Sequence, residues 1–188
     1  AKKTIDGQGC LVFPGAVDGH VHSYSIPGRE GFAHSTAAAA AGGVTTIIEM
    51  PYDGGNPTTT PEAFRDKIER VGREARVDVA LLGTLKKEGS PEVIEPMVEM
   101  GACGFKLSVF ETDPQRFPRI PDGILWEILP VLAQHKIPVG FHAENDDLIF
   151  HHQRSVRHCV AIGGLIHFHV PDRLAAARVE RDQSRVDS

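Results

Sequence analysis

Cysteine is scarce in this chain: Cys10, Cys103 and Cys159 are the three among 188 residues. Three scattered thiols cannot form a disulfide framework, and their scarcity favours a reducing compartment, the cytoplasm. Long apolar runs are lacking too: none approaches the ~18–20 residues that span a bilayer, and the N-terminus carries no signal-peptide pattern. A membrane partner is therefore not expected. Positive charge is outweighed, with 20 Lys and Arg against 25 Asp and Glu and a formal net charge of -5, so no nucleic-acid partner is expected. What remains has ordinary globular proportions, 41% hydrophobic and 24% charged. Histidine is the exception, because 7 of the 10 fall between His135 and His169.

Between Gly15 and His142 short β-branched runs alternate with helical patterns. Strands are expected over residues 15–22, 44–50, 77–82, 103–110 and 137–142. A helix over 31–41 is rich in alanine and stopped by Gly42 and Gly43. Thr60-Pro61-Glu62 reads as an N-cap with proline at the first helical position, and Phe64, Ile68 and Val71 then share one face. Ser90-Pro91-Glu92 repeats the start signal ahead of Val93, Ile94, Met97, Val98 and Met100. Asp122 is expected to cap a helix with Leu125, Ile128, Leu129 and Leu132 facing inward and Pro130 as a kink. Strand starts recur about every 26–34 residues, the spacing of βα units in a parallel sheet.

Five such units fit a doubly wound sheet or part of a (β/α)8 barrel. No Gly-rich phosphate loop follows the first strand, which disfavours the dinucleotide-binding form, and polar residues at the strand ends favour the barrel. The organisation expected is residues 1–13 as the end of a small β domain, 14–150 as the first five barrel units, and 151–188 as an atypical tail. That tail holds six Arg, no Lys and five His, with a net charge of +2 against -7 for residues 1–150. It reads either as a polar surface tail, with a strand over 160–170 and a helix over 172–185, or as a frame-shifted or foreign terminus.

Three strand ends carry residues with chemistry. His20 and His22, at i and i+2 on a strand, point to one face and can reach one metal, although such pairs are common on surfaces. Lys106 lies inside an otherwise apolar strand, either as an edge lysine reaching solvent or as a lysine carboxylated by carbon dioxide. His142 ends the fifth strand, in Phe141-His142-Ala143-Glu144-Asn145. In a barrel these ends converge on one mouth.

The stretches 12–22 (Val-Phe-Pro-Gly-Ala-Val-Asp-Gly-His-Val-His), 40–51 (Ala-Ala-Gly-Gly-Val-Thr-Thr-Ile-Ile-Glu-Met-Pro), Gly104-Phe105-Lys106 and His142-Ala143-Glu144-Asn145 resemble, in order and spacing, the cyclic amidohydrolases. These are the allantoinase, dihydroorotase and dihydropyrimidinase or hydantoinase group. The resemblance runs over residues 4–150 and implies a partial (β/α)8 barrel with two divalent metal ions, zinc as a rule. By the resemblance, His20 and His22 hold the more buried metal, N6-carboxylated Lys106 bridges both, and His142 holds the second. A metal-bound hydroxide then attacks the ring amide of a small cyclic ureide. Family members add a histidine after the sixth strand and a proton-shuttling aspartate after the eighth; His167 and His169 are weak candidates for the first, and the aspartate has no counterpart. A complete barrel needs about 250 residues, so the chain resembles part of a longer enzyme, a homo-oligomer when whole.

Dihydroorotases carry an arginine two residues after the histidine pair, where this chain has Tyr24, which disfavours a carboxylated ring. Pro27-Gly28-Arg29 and Glu49-Met50-Pro51 resemble allantoinases more, with dihydropyrimidinase or hydantoinase chemistry, or a dihydroorotase-like activity, as the alternative. Arg29 and Glu30 also read simply as surface charges. A reading of another class is a non-catalytic relative serving as an interaction or structural protein.

Overall fold

The computed structural model describes residues 5–25, 28–111, 113–155, 161–162 and 165–166. Its contacts divide into two units, Ala1–Glu144 and Asn145–Ser188. In the first unit, β1 (Ala16–Val21), β2 (Val44–Glu49), β3 (Asp78–Gly83), β4 (Gly104–Ser108) and β5 (Val139–His142) form one sheet in chain order. Every neighbouring pair is parallel. Helices α1 (Gly31–Ala41), α2 (Pro61–Glu74), α3 (Ile94–Glu99) and α4 (Asp122–Gln134) fill the connections. Five parallel strands in sequential order, each crossing over through a helix, are the opening units of a (β/α)8 barrel. Residues 5–15 carry no strand, and Leu11, Val12 and Phe13 stand exposed.

The helix starts are only partly as the sequence implies. Thr60 is extended and its side-chain oxygen accepts the Ala63 N–H at 3.2 Å, with Pro61 at the first position. Thr60→Ala is expected to cost about 1 kcal/mol, read as a lowered urea midpoint with an unchanged slope. Ser90 differs from expectation. Its backbone is left-handed (φ 76°), its hydroxyl caps nothing, and a 3-10 turn, Pro91–Val93, precedes α3. Asp122 also differs: Pro121 takes the cap position, while the Asp122 carboxylate lies 3.4 Å from Arg119. With the extended Pro121 at the cap, whose carbonyl accepts the Leu125 N–H at 2.9 Å, Asp122 falls one position inside the helix, where its charge faces the positive end of the helix.

The core joins Phe32, Phe64, Leu81, Leu85, Ile94, Met97, Phe105, Leu107, Ile120, Ile128 and Leu132. Ile68, Val71 and Leu125 pack against it as their spacing requires, but Leu129 is 37% exposed because it turns beyond the buried stripe. Along β4, Phe105 and Leu107 enter this core, so Lys106 and Ser108 are assigned to the opposite face. At Gly104 a Cβ would come 2.6 Å from the Pro138 carbonyl oxygen. The missing side chain lets β5 approach, and Phe105 N–H donates to that same oxygen at 3.0 Å. A smaller cluster of Met50, Tyr52 and Phe117 sits beyond the C-terminal ends of the strands.

In the second unit, α5 (Asp146–Ser155) starts at Asn145, whose side-chain oxygen accepts the Leu148 N–H at 3.0 Å. This helix was not among those expected; the signal passed over in the sequence is Asn145 followed by Asp146 and Asp147, an N-cap with acidic residues in the first turn. Two two-residue strands, β6 (Ala161–Ile162) and β7 (Leu165–Ile166), pair antiparallel where one longer strand was expected. The expected helix over 172–185, and His167 and His169, lie outside the described residues.

Candidate functional site

A cavity of about 240 Å³ opens at the C-terminal ends of β1, β4 and β5, lined by His20, His22, Ser25, Tyr52, Lys106, Arg116, Phe117 and His142. All four residues singled out in the sequence, His20, His22, Lys106 and His142, therefore face one space. His20 is delivered by β1, and His22 follows that strand's last residue. Their Nε2 atoms stand 3.1 Å apart, with ring centroids 5.0 Å apart. Two nitrogens bound to one tetrahedral zinc at about 2.0–2.1 Å lie about 3.3–3.4 Å apart, so this pair converges as two ligands of one ion would. Burial first, and then the neighbouring His20, pulls the His22 pKa down to about 4. The ring is thus neutral at pH 7, the form that donates a lone pair. Ser25 Oγ contacts its Nδ1, which orients the ring.

Lys106 is not on an edge: β4 lies between β3 and β5. It pairs in register with Gly140, and its Cδ is 3.3 Å from where a Gly140 Cβ would stand. The side chain crosses β5 through that gap, and Nζ donates to the Phe141 carbonyl at 3.0 Å. The Lys106 carbonyl in turn accepts the Tyr52 hydroxyl at 2.8 Å. His142 pairs with Ser108 across β4 and β5, packs edge-on against Phe117 at 5.1 Å and meets Glu144 through Nε2 at 2.9 Å. Among the described residues, no three His, Cys, Asp or Glu side chains cluster to hold a metal by themselves. The converging pair could offer two nitrogens to one ion, with Lys106 and His142 lining the same cavity.

Behind the histidine pair lies a buried ionic network that the sequence did not reveal. Glu49, 0% exposed, accepts the Ser23 N–H at 2.9 and 3.1 Å and the Ser23 hydroxyl at 2.9 Å. Lys67, 1% exposed, reaches Asp53 at 2.5 Å, the Met50 carbonyl at 2.9 Å and Glu49 at 3.6 Å. Arg70 adds a contact to Asp53 at 3.6 Å. Two cations against two carboxylates tie α2 to the ends of β1 and β2, holding Ser23 one residue beyond His22. The signal in the sequence was faint: Lys67 falls on the helix face of Phe64 and Val71, where apolar residues belong.

Tyr24 points away from the cavity. Its hydroxyl donates to Glu74, its edge meets Phe32 at 5.2 Å, and Arg70 lies 4.9 Å over its ring. Gly31, at φ 66°, leaves the space that the tyrosine occupies, since a Cβ there would come 2.7 Å from the hydroxyl. Arg29 and Glu30 are exposed, in keeping with surface charges.

A parallel βα sheet with imidazoles and an amine gathered at its C-terminal rim defines a protein of the (β/α)8-barrel class, with its site where barrels place their chemistry. No protein-family model matches the chain. Among characterised proteins it is 40% identical to an L-hydantoinase of Paenarthrobacter aurescens over 167 residues, 87% of this chain and 35% of that protein. It is 41% identical to the allantoinase of Saccharomyces cerevisiae over 138 residues, 72% of this chain and 30% of that one. The solved L-hydantoinase from Arthrobacter aurescens superposes with a TM-score of 0.75 at 38% identity, covering 82% of this chain and 35% of its own. The chain belongs to the allantoinase–hydantoinase family of cyclic amidohydrolases. It spans about a third of the length of the curated relatives it matches.

Proposed function

We propose that this chain forms the metal-binding part of a hydrolase that opens a cyclic amide or ureide ring, allantoinase-like in substrate. The observation that carries it is the convergence of His20, His22, Lys106 and His142 on one cavity in a chain of this family. His20 and His22 would hold one divalent ion, expected to be zinc, Lys106 as its N6-carbamate would bridge to a second, and His142 would complete the set. Bound there, the metals would supply Lewis acidity to the ring carbonyl and lower the pKa of a water. Ser25 keeps the His22 ring turned, and Tyr52 and Phe117, their ring centroids 3.6 Å apart, supply apolar wall to the cavity.

Lys106 must release the Phe141 carbonyl and lose its proton before it can take up carbon dioxide, and His142 must leave Glu144 to donate from Nε2. A hydantoinase reading is favoured by the superposition on L-hydantoinase and differs only in the substituent on the ring. Residues 1–13 as the end of a preceding β domain, a small-molecule substrate, a cytoplasmic site of action and a homo-oligomer for the whole enzyme belong to the same proposal. No helix among the described residues is long and apolar enough to cross a membrane.

Zinc titration of the purified chain, with metal analysis after dialysis, tests the site. At least one ion per chain is expected, and none retained would overturn the reading. Ring opening of allantoin, hydantoin and dihydrouracil is expected to be undetectable with the 188-residue chain, because the family's proton-shuttling aspartate has no counterpart in it. Turnover would show that another group takes the proton.

A further inference from the structure

Arg116 lies on the connection between β4 and α4, in a tight turn closed by Asp113 and Phe117, where Phe117 N–H donates to the Asp113 carbonyl at 2.8 Å. The Asp113 carboxylate accepts the backbone N–H groups of Gln115 and Arg116, each at 3.0 Å. Those bonds, Arg116's first, hold its pKa below the usual carboxylate range, so the turn stays braced by an ionised group. The turn presents the Arg116 side chain to the cavity that His20, His22, Lys106 and His142 line. One terminal nitrogen of the guanidinium donates to the Ser25 carbonyl. Its Nε is buried and has no hydrogen-bond partner among the described residues, with the nearest Asp113 oxygen 3.7 Å away. The Nε is therefore closed off by the turn, and it is the rest of the guanidinium, at the wall of the open cavity, that can meet a ligand.

Two further observations say what that ligand carries. Among the described residues no carboxylate lines the cavity, and the Arg116 guanidinium brings it a permanent positive charge, so the space selects electron-rich, acceptor-bearing molecules. Tyr24, two residues after the histidine pair, is turned into the α1–α2 layer against Phe32 and Glu74. A guanidinium therefore enters the cavity from the β4–α4 connection and not from the loop after β1.

We propose that Arg116 is a substrate-binding residue that receives an oxygen acceptor, a carbonyl or carboxylate, carried on the ring outside the scissile amide. It rests on the ring-opening reading above and narrows the substrate class to ring amides bearing such a substituent. The planar fork of arginine suits either acceptor, and the neutral ureido group of allantoin and the carboxylate of dihydroorotate separate the two sources.

The test is calorimetric binding of allantoin, dihydroorotate and unsubstituted hydantoin to the zinc-loaded 188-residue chain and to its Arg116→Gln and Arg116→Lys variants. Circular dichroism controls for folding. The expected result is that Arg116→Gln weakens allantoin or dihydroorotate by about 10-fold or more, leaves hydantoin within about 3-fold, and is partly rescued by lysine. Equal loss for all three ligands, or no change for any, would overturn the role of Arg116 while leaving the metal reading intact. If the wild-type chain holds zinc but binds no ring amide, the proposal also fails. Failure to hold zinc would remove the reading on which it rests.

Discussion

Exchanging Lys67 for methionine is expected to lower the stability of the first unit by about 3–5 kcal/mol, a large part of the about 5–15 kcal/mol that holds a domain folded. The ammonium is 1% exposed and lies between Asp53 and Glu49, themselves 2% and 0% exposed. Methionine fills much of the same volume, so the loss is electrostatic and not a cavity: Glu49 would lose its cation, and Asp53 would keep Arg70 alone. Burial already pushes the Glu49 pKa up, and the Lys67 charge is the first influence holding it down. Without that charge the folded-state pKa rises further above its unfolded value. A carboxyl with a raised folded pKa binds more protons when folded, so stability falls as pH climbs through and above the unfolded value of 4.5. The deficit of Lys67→Met should therefore shrink as pH is lowered from about 7 towards about 5, where Glu49 can fold protonated. Urea unfolding at both pH values measures it. A deficit below about 1 kcal/mol, or one that grows on acidification, would contradict the assignment.

The second large effect concerns the histidine pair. His20→Ala and His22→Ala are each expected to weaken zinc binding by about 100-fold or more, since losing even an outer-shell partner costs about 10–100-fold. His22→Ala also removes the ring that Ser25 orients. His142→Ala should weaken binding less, because its Nε2 is engaged by Glu144 and must first be released. Competition with a chromophoric chelator reads all three affinities on one scale. Wild-type affinity in either His20→Ala or His22→Ala would remove the pair from the metal site.

These two predictions draw on different levels of information. The histidines were legible in the sequence because spacing by two along extended backbone brings side chains to one face, and although β1 ends at Val21, one residue short of His22, the Nε2 atoms stand 3.1 Å apart. The helix bounds Gly31–Ala41 were equally legible, since alanine content and the following Gly42 and Gly43 are local signals. So was the Thr60 cap. Where local signals misled, the helix began one residue earlier than expected: Pro121 takes the cap position and Asp122 falls in the first turn. Leu129 shows the limit of periodicity, because a helix face has a width and a leucine at its margin stays exposed.

The sequence by itself determined the alternation of strand and helix, and with it a parallel sheet whose ends bring His20, His22, Lys106 and His142 to one rim. That follows because the hydrophobic period and the turn residues act over a few positions. Tertiary structure alone decided that Lys67 would be buried against Glu49, 18 positions earlier, and that Arg116 would meet the carbonyl of Ser25, 91 positions away. No local rule pairs such residues. Their interaction exists only once α2 and the β4–α4 turn have packed over the strand ends, where a low dielectric makes an unpaired charge costly and a paired one specific.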